Sequence, residues 1–215
     1  MSHMFIRFGE YSALRREVFL LILVNSIFGF AYGFAAPSVA PLIVLVKVTM
    51  TFVGNTRTAA RGLGTLIRPL LGPLIDRYNA KPFYLIGGVL TVAGYVSYAL
   101  TESWGLLATG LLLSELDFYV RGLARTAAIG SCSDPETRGK AFSLDLGFAE
   151  MASAVAPLVG GYMAGSLQLS FRWIFWISTG LTVFSLILMA TKYSSPRMSD
   201  SVSTTSVRGY LRQAF

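Results

Sequence analysis

Six blocks of apolar residues dominate the chain, at 18–46, 52–75, 82–101, 104–130, 141–165 and 172–191. Each is about 20 residues or longer, the length that carries a helix across roughly 30 Å of hydrocarbon at about 1.5 Å per residue. The pattern predicts an all-α membrane protein with six transmembrane helices. The polar breaks between blocks are short: Pro82 suits a first helical turn, Thr101-Glu102-Ser103 reads as a turn, and Asp134-Pro135-Glu136 marks the longest internal loop. The chain divides into an N-terminal segment (1–17), a helical domain (18–192) and a tail (193–215) rich in serine and threonine.

Composition agrees with this reading and removes other chemistries. Of 215 residues 53% are hydrophobic and only 13% charged, and mean hydropathy is +0.59. The single cysteine, Cys132, excludes an internal disulfide and multi-cysteine metal sites, and the single histidine, His3, lies outside the apolar blocks. No cofactor, metal centre or covalent catalysis is expected. A net charge of +7 would suggest nucleic acid in a soluble chain. Here the basic residues instead sort by side: 11 of 18 (Arg7, Arg15, Arg16, Arg77, Lys81, Arg138, Lys140, Lys192, Arg197, Arg208 and Arg212) fall on one side and only Lys47 and Arg172 on the other. The bias predicts that both termini are cytoplasmic.

The remaining five arginines, Arg57, Arg61, Arg68, Arg121 and Arg125, lie inside the blocks. On a helical wheel Arg57, Arg61 and Arg68 fall within about 40° of one another, flanked by Gly54, Gly64 and Gly72, while Leu63, Leu66, Leu70 and Leu74 cover the opposite side. The leucine face should meet lipid and the arginine face protein or water. Arg61 sits near mid-depth, where an unpaired charge costs about 2.5 to 3.5 kcal/mol. In span four Asp117 and Arg121 have the spacing of a helical ion pair, whereas Glu115 points away from them. Glu150 in span five reaches a depth similar to that of Arg121. In span one Asn25 and Tyr32 share an arc with Gly29 and Ala36. Counted this way, five arginines face three buried acids, Glu115, Asp117 and Glu150, a surplus of two positive charges.

Gly72-Pro73-Leu74-Ile75-Asp76-Arg77-Tyr78-Asn79-Ala80-Lys81 resembles the GxLaDrxGrk loop of the major facilitator superfamily. Gly72, Leu74, Asp76, Arg77 and Lys81 match; Asn79 and Ala80 depart, although asparagine tolerates the positive φ that otherwise calls for glycine. Gly72 should let two helices approach closely. Asp134-Pro135-Glu136-Thr137-Arg138-Gly139-Lys140-Ala141 is similar to that family's second cytoplasmic Arg-Gly loop. Ala156-Pro157-Leu158-Val159-Gly160-Gly161 resembles its gPxxGG antiporter signature, with Ser143, Ala152 and Ala156 in place of glycines. Phe171-Arg172-Trp173-Ile174-Phe175-Trp176 resembles the aromatic start of its sixth helix.

The resemblance implies the N-terminal six-helix half of such a transporter: two inverted three-helix repeats (about 18–101 and 104–192) in a cell membrane, or inner membrane in a prokaryote. It implies secondary transport by alternating access, with proton coupling or exchange. The arginine surplus favours a small organic anion; the signature at 156–161 favours a drug or cation antiporter. A non-transporting scaffold or a truncated half is the third alternative. Asn25, Tyr32, Arg61, Asp117, Arg121 and Glu150 are then candidates for substrate binding or coupling. Gly72, Asp76, Arg77, Lys81 and Arg138 belong to a conformational-switch loop, and Ala156, Pro157, Gly160 and Gly161 to a helix-packing motif. The expected partners are the bilayer, a small-molecule substrate, and a second copy or a separate six-helix half.

Overall fold

The computed structural model describes residues 16–166 and 170–194. His3 and most of the terminal segment and tail lie outside these. The described residues form helices and connecting turns, with no strand among them.

Each apolar block becomes one helix, except that the first is interrupted. Helix α1 (Arg16–Ala35) passes through a single 3-10 turn (Ala36–Ser38) into α2 (Val39–Leu45). Pro37 and Pro41 explain the break, because neither has an N–H to bond the carbonyl four residues earlier. Helix α3 (Met50–Tyr78) begins at Thr49, whose Oγ1 accepts from the Phe52 N–H at 3.3 Å, and continues through Pro69 and Pro73. Asn79 turns the chain with φ 70°, and α4 (Ala80–Ala99) follows at once. Helices α5 (Trp104–Cys132), α6 (Arg138–Gly165) and α7 (Phe171–Lys192) complete the fold. The combined α1–α2 stretch, α4, α6 and α7 are long and apolar enough to cross a membrane. Helices α3 and α5, of 29 residues each, match them in length but carry the interior charges.

Packing is specific. Helices α4 and α7 lie against each other; α5 packs on α4 and α1 on α7; α3 then packs on α5 and α6 on α1. One apolar cluster joins Ile75, Ala80, Ile129, Cys132, Ala141 and Met189, so these residues share one end of the bundle. A second joins Val39, Val53, Tyr98, Leu107 and Phe175 at the other end. At the first end Lys81 donates to the carbonyls of Ala190 (2.8 Å) and Tyr193 (2.7 Å), satisfying acceptors that the end of α7 leaves open. Cys132 Sγ lies 3.3 Å from the Tyr193 hydroxyl.

The α1–α6 contact depends on missing side chains. A Cβ at Gly29 would stand 2.5 Å from the Ala149 carbonyl oxygen, and one at Gly33 would meet the Ser153 backbone more closely still. Gly72, expected to mediate a close approach, has open space around it instead, because α3 leans on α5 through Val53, Ala60, Gly64, Leu71 and Ile75, on a different side of the helix. Gly33→Val should therefore destabilise the chain by about 1–3 kcal/mol or more, since backbone cannot yield as a side chain can. Gly180→Ala, at a helical position with nothing within 4 Å, should be neutral or stabilising. Thermal unfolding in detergent compares them; equal melting temperatures would refute the close contact.

Candidate functional site

Three charge clusters occupy the helix interiors, and they differ in exposure. The first lies on the face not covered by α4 and α7. Arg61 donates from Nε to Glu115 Oε2 at 3.0 Å, and Arg57 Nε stands 3.8 Å from Glu115 Oε1. The two arginine side chains are 47% and 62% exposed for Arg57 and Arg61, against 16% for Glu115. Tyr32 is exposed on α1. Glu115 does point away from Asp117 and Arg121, as its position on the wheel requires. That direction aims it at α3, where it becomes the partner of the stripe of arginines.

The second cluster is the helical pair. Arg121 Nε donates to Asp117 Oδ1 at 2.9 Å, with both side chains largely buried. The guanidinium lies over the Phe28 ring at 3.6 Å, so α1 covers it. Gly87 makes room on α4: a Cβ there would sit 2.6 Å from Arg121 Cβ and 3.0 Å from Asp117 Oδ1.

The third cluster centres on Asp145, 1% exposed, which is not among the candidates that the sequence singles out. Its Oδ1 accepts from Asn25 Nδ2 at 2.6 Å, and its Oδ2 accepts from Arg125. The Tyr84 hydroxyl donates to Asn25 Oδ1 at 2.6 Å. One carboxylate thus links α6, α5 and α1, and through Asn25 reaches α4. A signal for it was present: residues 125 and 145 are equidistant from the 133–137 connection, so an antiparallel hairpin sets them at equal depth.

Several expected positions change accordingly. Asn25 is buried in this network, so the shared arc with Tyr32 does not place both on one open surface. Glu150 is exposed and has no ion-pair partner among the described residues, because the inner side of α6 is occupied by Ala141, Asp145, Ala149, Ala156 and Gly160. The count of buried acids therefore exchanges Glu150 for Asp145. Arg68 is likewise exposed and unpaired among the described residues. In the loop region Asp76 lines a cleft of about 260 Å³ with Asn79, Ala127 and Ser131, Arg77 lies over the Tyr78 ring, and Arg138 opens α6. In the 156–161 stretch Ala156 is buried beside Phe34 and Ile174, Gly160 touches the Phe34 ring, Pro157 lies within α6, and Gly161 faces open space.

Long apolar helices whose interior charges pair within and between helices define an integral membrane protein. The sequence model of the Major Facilitator Superfamily matches residues 18–213, and the chain belongs to that family. It is 31% identical over 131 residues to the multidrug resistance protein MdtH of Photorhabdus laumondii, covering 60% of this chain and 32% of the relative. To MdtH of Proteus mirabilis it is 28% identical over 146 residues, covering 66% and 36%. The chain spans about a third of the length of these curated relatives. A crystal structure of the peptide transporter POT in complex with sulfate shares the fold, with TM-score 0.62 and 16% identity over 81% of this chain and 37% of that one.

The Asp145 cluster gives a stability prediction. Asp145→Ala leaves Arg125 and Asn25 buried without their acceptor and should cost about 3–5 kcal/mol, whereas Asp145→Leu combined with Arg125→Met should lose far less. Additive losses in a double-mutant cycle would show that the two side chains do not interact.

Proposed function

We propose that the chain is a six-helix unit of a secondary transporter working by alternating access, with a small organic anion as its ligand. The observation that carries this reading is the sharing of Glu115 by Arg57 and Arg61 on the open face. One carboxylate neutralises one guanidinium, so the pair retains positive charge and free N–H donors where an anion can dock bidentately. Tyr32 supplies a phenol on the same face. Asp117 and Arg121 lie behind it, shielded from water, and serve as the coupling pair: protonation of Asp117 releases Arg121 and alters the packing of α5 on α1. The switch loop takes the role that the resemblance implies, and in the 156–161 motif Ala156 and Gly160 carry the packing while Gly161 faces open space.

The unit crosses the cell membrane six times with both termini cytoplasmic, as two inverted three-helix repeats. Supporting the repeats, the packing order is unchanged when α1, α3 and α4 are exchanged for α5, α6 and α7. A drug or cation antiporter is the second reading, favoured by the relatives named as multidrug resistance proteins.

Uptake into liposomes with and without a pH gradient separates the readings. Under the anion reading Arg61→Ala weakens uptake of organic anions about tenfold or more, Arg61→Lys restores part of it, and Asp117→Asn flattens its pH dependence. Uptake of cationic dyes alone, indifferent to Arg61, would sink it. Orientation is tested in a Cys132→Ser background: cysteines at Ser103 and Ser166 should react with an impermeant thiol reagent from outside, and one at Ser194 only after lysis. The reverse pattern overturns the topology.

A further inference from the structure

Hydroxyls inside the helices follow one habit. Ser97, Thr101, Ser114, Thr179 and Thr182 each donate to the carbonyl four residues earlier, which satisfies them without a neighbour. Thr91 of α4 and Ser178 of α7 break it. Their hydroxyls, and that of Tyr95, have no hydrogen-bond partner among the described residues, although Thr91, Ser178 and Tyr95 are only 3%, 0% and 4% exposed. Between helices in a bilayer no bulk water reaches such groups, and a buried hydroxyl left without a partner is costly enough to be rare. Three at once call for a shared cause.

They occupy one place. Helices α4 and α7 run antiparallel: the Tyr98 and Phe175 rings lie 5.2 Å apart, and a Cβ at Gly88 would meet Leu186. That register sets Tyr95 level with Ser178 and Thr91 level with Thr182, and Thr91 and Tyr95 share a face of α4. Helix α5 enters at the same level, because Gly87 faces Asp117 Oδ1 and Gly94 faces Ser114 Oγ. Thr91, between those two glycines, lies beside the Asp117 carboxylate. Helix α1 closes the fourth side. There the buried Ala31, between Phe28 over Arg121 and Ala35 in the cluster of Tyr98 and Phe175, adds only a methyl group.

We propose that Thr91, Tyr95 and Ser178 hold ordered water between α1, α4, α5 and α7, hydrogen-bonded to their three hydroxyls and to the Asp117 carboxylate. Water suits this set because it both donates and accepts: it donates to the carboxylate and accepts from hydroxyls, which no apolar side chain facing them can do. A cation fits worse. Asp117 is already neutralised by Arg121 Nε at 2.9 Å, and the three hydroxyls are uncharged. For the coupling step proposed above the water has a use: when Asp117 takes up a proton and releases Arg121, its carboxyl O–H donates to the water and stays paired. The site itself rests on the packing of the bundle and not on transport.

The full chain in mild detergent, without substrate, tests the site by two readouts. In a chain labelled at threonine methyl groups, nuclear magnetic resonance should show cross-relaxation between water and the Thr91 methyl despite its burial, and Tyr95→Phe combined with Ser178→Ala should abolish it. Thermal unfolding gives the sign. Thr91→Val, Tyr95→Phe and Ser178→Ala should each lower the melting temperature by about 2 °C or more, and pairs of them by less than the sum, because they share a partner. Thr91→Ser, which keeps the hydroxyl, should melt close to wild type. A folded wild-type chain without cross-relaxation overturns the proposal, and this signal decides alone where a variant fails to fold. Variants that melt at or above the wild-type temperature, as loss of unpaired hydroxyls predicts, also overturn it. So does a wild-type melting temperature that rises in sodium chloride over choline chloride and loses that rise in Thr91→Val, which assigns the site to a cation. Uptake indifferent to Asp117→Asn removes only the use in coupling and leaves the site standing.

Discussion

An ion placed in hydrocarbon must be neutralised by a neighbour, and in this chain that requirement decides which helices touch. Asp145 makes the point most fully. Four residues of α6 beyond the buried Ala141, it is stable there because Arg125 arrives from α5 and Asn25 from α1. Asn25 in turn is held by Tyr84 of α4. Such a cluster is useful to the fold only if the helices come close, and Gly29 and Gly33 supply that on the α1–α6 side. Charge and small residues are thus one design: glycines allow the approach, and the carboxylate makes any other approach costly.

The clusters are graded in burial, and the gradation separates structure from chemistry. The Asp145 and Asp117 pairs are sealed by neighbouring helices, so the surroundings that strengthen the attraction also penalise separation. Arg57 and Arg61 are roughly half-exposed and share one carboxylate. Exchange of partners there costs far less, which is what a ligand site needs. Arg121 belongs to the buried regime, with the rings of Phe28 and Tyr84 beside its guanidinium.

What the sequence revealed follows from which geometric variable each inference used. Spacing along one helix is fixed, so the Asp117–Arg121 pair was legible at once, and so were the six helices and the turn at Asn79. Depth is legible where a short connection ties two helices, as for residues 125 and 145 on either side of the 133–137 connection. Azimuth between helices was not legible, because it depends on packing that no single helix encodes. That is why a helical wheel turns Glu115 away from one partner without naming the other, leaves the exposure of Glu150 open, and groups Asn25 with Tyr32. Asp145 is hidden for a different reason: close to the helix start, it resembles an interfacial acid, although Arg125 opposite it needs a partner.

Placing Asp145 relocates the charge surplus. Five interior arginines face three acids: Arg121 with Asp117, Arg125 with Asp145, and Arg57 and Arg61 with Glu115, while Arg68 is exposed. The surplus stays at two positive charges, one at the half-exposed cluster and one at Arg68. A single negative charge completes the balance at that cluster. A cationic ligand on this face would instead meet two guanidiniums and one carboxylate already engaged. It could be held only if Arg57 or Arg61 swung out toward the surface, trading a 3.0 Å hydrogen bond for water. Within this geometry an anion needs no such rearrangement, which is the physical reason for ranking it first.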